Sequence, residues 1–203
     1  MKTEHTPSRA TPRTSRLGLL LTLATLSLTA AAPAVAPLLI DDYSDPARNR
    51  SGLERLLIDD KMVGSSSKAT QRCTNGVLSV QGNLVPGRGV PAFISQASLL
   101  AAEGKSRDLT GHQGVRLRVK VIQGLLCVQV ASASVTNFDY HAGPPIAGKR
   151  GEFQEVKVPF KDMKRSWSEQ TPLDLKTLTS VNLISFGMAK DAFAYEVDEL
   201  GFY

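Results

Sequence analysis

The chain has little of what most catalytic and metal centres are built from. Its 203 residues include two cysteines, three histidines and one tryptophan. Cys73 and Cys127 are too few for a disulfide-stapled scaffold, and their spacing matches no zinc signature. Apart from His5, only His112 and His141 are present. No His-x-x-x-His pair, Gly-x-Ser-x-Gly elbow, phosphate-cradling glycine loop or dinucleotide fingerprint occurs. Nucleophilic chemistry of the Ser-His-Asp kind would need one of those histidines beside a serine, and no local motif brings them together. No apolar run approaches the roughly 20 residues of a membrane-spanning helix. Helical periodicity is almost missing, with only Ser98–Glu103 and Pro172–Thr177 reading as brief helices, the second capped by Thr171 ahead of Pro172.

The longest apolar run, Leu17–Ala31, follows a basic segment containing Lys2, Arg9, Arg13 and Arg16 and precedes small residues. That is the layout of a secretory signal peptide. Pro37 disfavours cutting after Ala36, so cleavage is expected after Ala34, with the mature chain a single domain over residues 35–203. No arginine pair precedes the run and no cysteine follows it, so neither a twin-arginine route nor a lipid anchor is expected. A periplasmic or secreted protein without a stable membrane anchor follows. Residues 1–34 hold four basic side chains and Glu4, a net of +3, so the formal +5 of the whole chain falls to +2. Nucleic acid is not an expected partner.

What remains is strand. Short apolar-alternating segments, separated by Gly, Pro, Asn and Asp, lie at Leu38–Tyr43, Arg55–Ile58, Ala69–Arg72, Gly76–Gln81, Ala92–Ala97, Val115–Val121, Leu125–Val135, Phe153–Val158, Val181–Met188 and Phe193–Tyr203. Many short strands at even spacing specify an all-β sandwich or barrel. The last strand alternates Phe193, Tyr195 and Val197 with Ala194, Glu196 and Asp198, which makes the C-terminus part of the fold. In Val115–Val121, Arg116, Arg118 and Lys120 point away from the valines and leucine. No aromatics interleave these cations as single-strand nucleic-acid binding requires, so the stripe reads as the solvated face of an antiparallel sheet.

About 170 residues suffice for a core without a required cofactor. In an oxidising compartment Cys73 and Cys127 form either a disulfide or two separate thiols. The acids Asp198 and Glu199, with Asp41 and Asp42, are candidate ligands for a structural calcium held by the two chain ends; backbone hydrogen bonding explains the same acids. A glycoside hydrolase would need two carboxylates across a cleft, drawn from Asp41, Asp42, Asp59, Asp60, Asp139, Asp198 and Glu199, but adjacent acids on a strand face opposite ways. Trp167 stands in the polar stretch Lys164–Glu169, and Asp139-Tyr140-His141 precede a rigid Gly-Pro-Pro loop. Sugar rings stack their CH faces on aromatics while carboxylates and amides take the hydroxyls, which makes Trp167, Tyr140, His141 and Asp139 the candidate ligand contacts. Trp167 could equally fold over the sandwich end as a lid. Phe138 is expected in the core, and His112 is expected to cap or cover its turn.

Ile40-Asp41-Asp42-Tyr43-Ser44-Asp45-Pro46 resembles the opening of the complex I intermediate-associated protein 30 family. Asp59-Asp60-Lys61-Met62-Val63-Gly64-Ser65-Ser66 is similar to its Asp-x-Val-Met-Gly-Gly-x-Ser segment, and Gly114–Val119, Glu155–Phe160 and Val197–Tyr203 match in order. The resemblance implies a galactose-binding-like jelly-roll β-sandwich related to carbohydrate-binding modules. Val63 replaces the first glycine, Lys61 an apolar residue, and Phe153 a frequent Trp, while Pro91-Ala92-Phe93 stands for Gly-Gly-Phe. Two non-catalytic roles follow: binding of a glycan outside the cytoplasm, or an assembly-factor role with a protein partner, as the family name implies. An enzyme is the third choice.

Overall fold

A computed structural model describes residues 1, 2, 35–146 and 151–203. The expected signal peptide and its cleavage point lie outside the described residues. Ala34–Tyr203 forms one compact unit, whose described residues include eleven strands: β1 (Leu38–Asp41), β2 (Arg55–Asp59), β3 (Lys68–Thr74), β4 (Val77–Leu84), β5 (Ala92–Leu99), β6 (Gly114–Gln123), β7 (Cys127–Ser132), β8 (His141–Ala142), β9 (Gln154–Pro159), β10 (Leu178–Gly187) and β11 (Asp191–Phe202).

The strands form two antiparallel sheets. The first runs β3-β4-β11-β6-β9, with β1 also paired to β11; the second runs β2-β5-β10-β7-β8. This is the expected jelly-roll β-sandwich. The long β11 organises the first sheet. Asp191–Val197 pair with β4, Leu200–Phe202 pair with β1, and β6 lines the other side. The two ends of the domain therefore meet, as Leu38 faces Phe202 and Leu39 faces Gly201.

Alternation decides which residues enter the core. Val115, Leu117, Val119 and Val121 of β6, with Phe193, Tyr195, Val197, Leu200 and Phe202 of β11, pack in one cluster with Ile94, Val128, Val130, Val181 and Leu183 of the second sheet. On the outer face of the first sheet each cation of β6 meets an acid of β11. Arg116 pairs with Glu199 at 3.2 Å, Lys120 with Glu196 at 2.7 Å, and Arg118 with Asp198. A register shift between Val197 and Glu199 lets the adjacent acids Asp198 and Glu199 serve neighbouring arginines. The basic stripe is thus the ion-paired face of a sheet.

Neither expected helix forms. Ser98 and Leu99 belong to β5, paired with Val181 and Ser180, because the cross-strand ladder outweighs a weak local propensity. Pro172–Thr177 is irregular, and Thr171 offers its carbonyl to His141 instead of capping. Among the described residues the helical turns are 3-10 segments at Lys61–Val63 and Phe160–Asp162.

Candidate functional site

The sandwich end beyond β8 is assembled from two segments that neither strand pattern nor spacing connects. Ala142 and Lys164 exchange backbone hydrogen bonds at 2.9 Å in both directions, an isolated bridge that ties the chain at Lys164 to β8. Beyond that bridge Asp139 turns inward. It is 1% exposed and accepts from the backbone amides of Ser166 (2.8 Å), Trp167 (3.0 Å) and Ser168 (2.6 Å). Burial pushes its carboxyl up, but the donors of Ser166, Ser168 and Trp167 outweigh that and hold it below the ordinary value. Arg165 donates to the Asp139 carbonyl and to Asn137 Oδ1, and Asn137 Nδ2 donates to Ser168 Oγ.

This network leaves Trp167 outside. Its side chain is 69% exposed while its own amide is pinned, so the ring stands off the end rather than closing over it as a lid. Tyr140 is half-buried, and burial raises its hydroxyl pKa. Phe138 corrects the sequence reading, since it is 62% exposed rather than core and sits at φ +62°, with its ring edge-on to Tyr140 at 6.3 Å. A left-handed turn reverses the side chain that strand alternation would have sent inward. His141 is buried, and its Nε2 donates to the Thr171 carbonyl at 2.7 Å. Asp139 and His141 therefore lie inside the loop as supports, and the ring faces open to solvent belong to Trp167 and Phe138.

The chain ends do not gather their acids around a common point. Asp41 is fully buried against Arg55, Asp42 pairs with Arg50 at 2.6 Å, Asp198 with Arg118 and Glu199 with Arg116. Each of the four acids named for calcium faces its own guanidinium, and no cluster of three or more His, Cys, Asp or Glu with metal-holding geometry occurs among the described residues. The remaining acids considered for hydrolysis are also occupied. Asp59 pairs with Lys61, and the fully buried Asp60 accepts from Ser67 N, Ser67 Oγ and Phe93 N. Cys73 and Cys127 are free thiols on different sheets, not a bridge, and Cys73 Sγ donates to the Tyr43 carbonyl. His112 packs its ring edge-on to Phe202 at 6.0 Å, covering the turn without a hydrogen bond from either ring nitrogen.

Sequence reading passed over Arg55 and the cross-chain use of Asp60. Asp60 and Ser65 tie the Asp59–Ser66 segment to Pro91–Phe93, with Ser65 Oγ donating to Pro91 O at 3.2 Å. Those are two of the blocks read as a family pattern, and the structure makes them one joint. Val63, which replaces a glycine, is exposed, and Gly64 after it takes the left-handed φ of +84° that closes the turn.

Residues 48–197 match the family model of Complex I intermediate-associated protein 30, leaving the Ile40–Ala47 opening and the last six residues outside the match. No curated protein matches the chain. Among solved structures, the fold is similar to a family 11 carbohydrate-binding module of the cellulosomal cellulase Lic26A-Cel5E of Clostridium thermocellum, with TM-score 0.59, 13% identity, 83% of this chain and 95% of that one covered. The same family 11 module in complex with a β-1,3-1,4-mixed-linked tetrasaccharide gives the same score and identity, with 83% and 96% covered. The agarase AgWH50C is similar at TM-score 0.50 and 10% identity, over 81% of this chain and 24% of that one. At these identities the likeness concerns the fold. The chain belongs to the complex I intermediate-associated protein 30 family.

Proposed function

We propose that this protein is an exported, non-catalytic glycan-binding module whose contact surface is the aromatic end beyond β8. The observation that carries the reading is Trp167, which is 69% exposed on a loop whose backbone amides donate three hydrogen bonds to buried Asp139. A solvent-facing indole on a pinned backbone offers a flat apolar ring to the CH face of a pyranose, and little backbone ordering remains to oppose binding. Tyr140 adds a half-buried phenol, while Asp139 and His141 keep the loop in place. The mixed-linked tetrasaccharide held by a module of similar fold supports a saccharide as the ligand class. Export after Ala34 would bring the domain to glycans outside the cytoplasm, and no cofactor enters the binding step.

A glycan array read alongside tryptophan fluorescence tests this, because the single Trp reports on the loop itself. Binding to at least one neutral glycan, with a fluorescence change, is expected, and Trp167→Ala should abolish it. N-terminal sequencing of the mature chain should begin at Val35.

A protein-docking role, the second reading, is favoured by a different observation. On the outer face of the second sheet Ile58, Ser95 and Ile184 form one row and Phe93 faces Phe186 in the next. Leu56, Ile58 and Phe186 are each about two-fifths exposed, and Met188 beyond them is 68% exposed. Such an apolar patch suits a protein surface. If no glycan binds, and Ile58→Asp removes a partner that the wild type retains from a periplasmic extract, this reading replaces the first.

A further inference from the structure

The glycan reading rests on one ring, yet the loop carries a second exposed aromatic. We propose that Phe138 and Trp167 are paired stacking platforms, and that the ligand is therefore a neutral oligosaccharide chain rather than a single sugar. This rests on the proposed glycan function and deepens it.

Phe138 is unusual on two counts. It is 62% exposed, and it holds a left-handed backbone at φ +62°. A bulky side chain in that region costs energy and persists only where surrounding bonds impose it; such positions concentrate at ligand clamps. The bonds that impose it here also fix Trp167. Asn137 and Asp139 bracket Phe138, and both are bonded to residues 165–168: Asn137 Oδ1 accepts from Arg165 at 2.8 Å, Asn137 Nδ2 donates to Ser168 Oγ at 2.9 Å, and Asp139 takes three successive amides. Ser166 and Ser168 in turn bracket Trp167, and both donate backbone amides to Asp139. Each aromatic is thus carried on a segment locked on both sides to the other's. Tyr140 meets the Phe138 ring edge-on at 6.3 Å and buttresses it.

The buried charges at the base of the loop face each other, with Arg165 Nε 3.9 Å from Asp139 Oδ2 and its other donors on the Asp139 carbonyl, Asn137 and Thr171. The two exposed aromatic rings are themselves uncharged and suit the CH faces of pyranose rings in a neutral chain. Fixing both backbone segments before binding removes the ordering cost that a mobile loop would carry.

The test uses Phe138→Gly, Phe138→Tyr and Trp167→Ala in the full chain. The probes are tetrasaccharides of glucose, galactose and N-acetylglucosamine, each with its monosaccharide, titrated calorimetrically. Glycine accepts the left-handed backbone freely, so Phe138→Gly should keep or raise the melting temperature while weakening the best tetrasaccharide about tenfold, one aromatic contact's worth. Phe138→Tyr should restore binding, and monosaccharide affinity should be the same in all three Phe138 forms. A lower melting temperature in Phe138→Gly would assign the ring to structure and overturn the proposal. Loss of binding in Trp167→Ala but not in Phe138→Gly would overturn the pairing and leave the glycan function standing. Failure of every tetrasaccharide to bind the wild type would overturn both.

Discussion

Arg55 is 7% exposed, and its guanidinium meets both oxygens of Asp41, at 2.6 and 2.8 Å, and the carbonyls of Asp45 and Arg48. It also lies 4.9 Å over the Tyr43 ring. All of its partners fall within residues 41–48, so one side chain folds that irregular segment across the joint between the sheets. Arg55→Ala should cost about 3–5 kcal/mol in urea denaturation, because it strands a buried carboxylate. Asp41→Leu combined with Arg55→Met should recover much of that loss. Asp139 gives a second test at this scale. Asp139→Ala leaves three amides unpaired and should destabilise by about 1–3 kcal/mol at neutral pH. Because the folded pKa is depressed, the Asp139 contribution is present above the ordinary value of 3.8 and lost as pH falls through the folded value. Melting curves of wild type and Asp139→Ala should therefore draw together only below about pH 3.8.

At the scale of elements, β1 and β11 close the domain by pairing its two ends. Leu200 and Phe202 are fully buried, and Phe202 packs against Phe160 at 6.0 Å. Gly201 between them faces β1 so closely that a Cβ would stand 2.4 Å from the Leu38 carbonyl oxygen. Deleting Gly201-Phe202-Tyr203 should remove a few kcal/mol, a large fraction of a typical domain's stability. Gly201→Ala should lower the melting temperature without any loss of side chain, since the backbone of β1 must move. An unchanged melting temperature in both would mean that the β1–β11 closure adds nothing to stability. The loop beyond β8 follows different rules, because past the single Ala142–Lys164 bridge its order comes from the side chains of Asn137, Asp139 and Arg165.

For the molecule as a whole, stability comes from one core between two sheets, without a covalent cross-link between the cysteines. Burial pushes the Cys127 thiol up to about 11 and raises that of Cys73 as well. Reductant should leave the melting temperature unchanged, and a thiol reagent at pH 8 should label neither cysteine appreciably until the protein is unfolded. Calcium and chelator should likewise leave melting unmoved, since Asp41, Asp42, Asp198 and Glu199 each already face an arginine. A calcium-dependent rise would require those ion pairs to open.

Strand content, the antiparallel sandwich and the inward side of β6 and β11 were legible in the sequence, because alternation is a local property that any half-buried strand must display. The meeting of the chain ends could also be expected, since β11 needs a neighbour along its last residues. Only the tertiary structure decided the rest. Asp41 finds Arg55 across fourteen positions, Asp60 reaches Phe93 across thirty-three, and Asp139 gathers amides twenty-seven to twenty-nine residues away. An acid's partner at such separations leaves no trace in composition or period, so the same carboxylates read equally as calcium ligands, catalytic acids or turn residues. Phe138 was misread for the same kind of reason: its left-handed backbone is imposed by Asn137, Asp139 and Arg165, and no propensity at position 138 announces it.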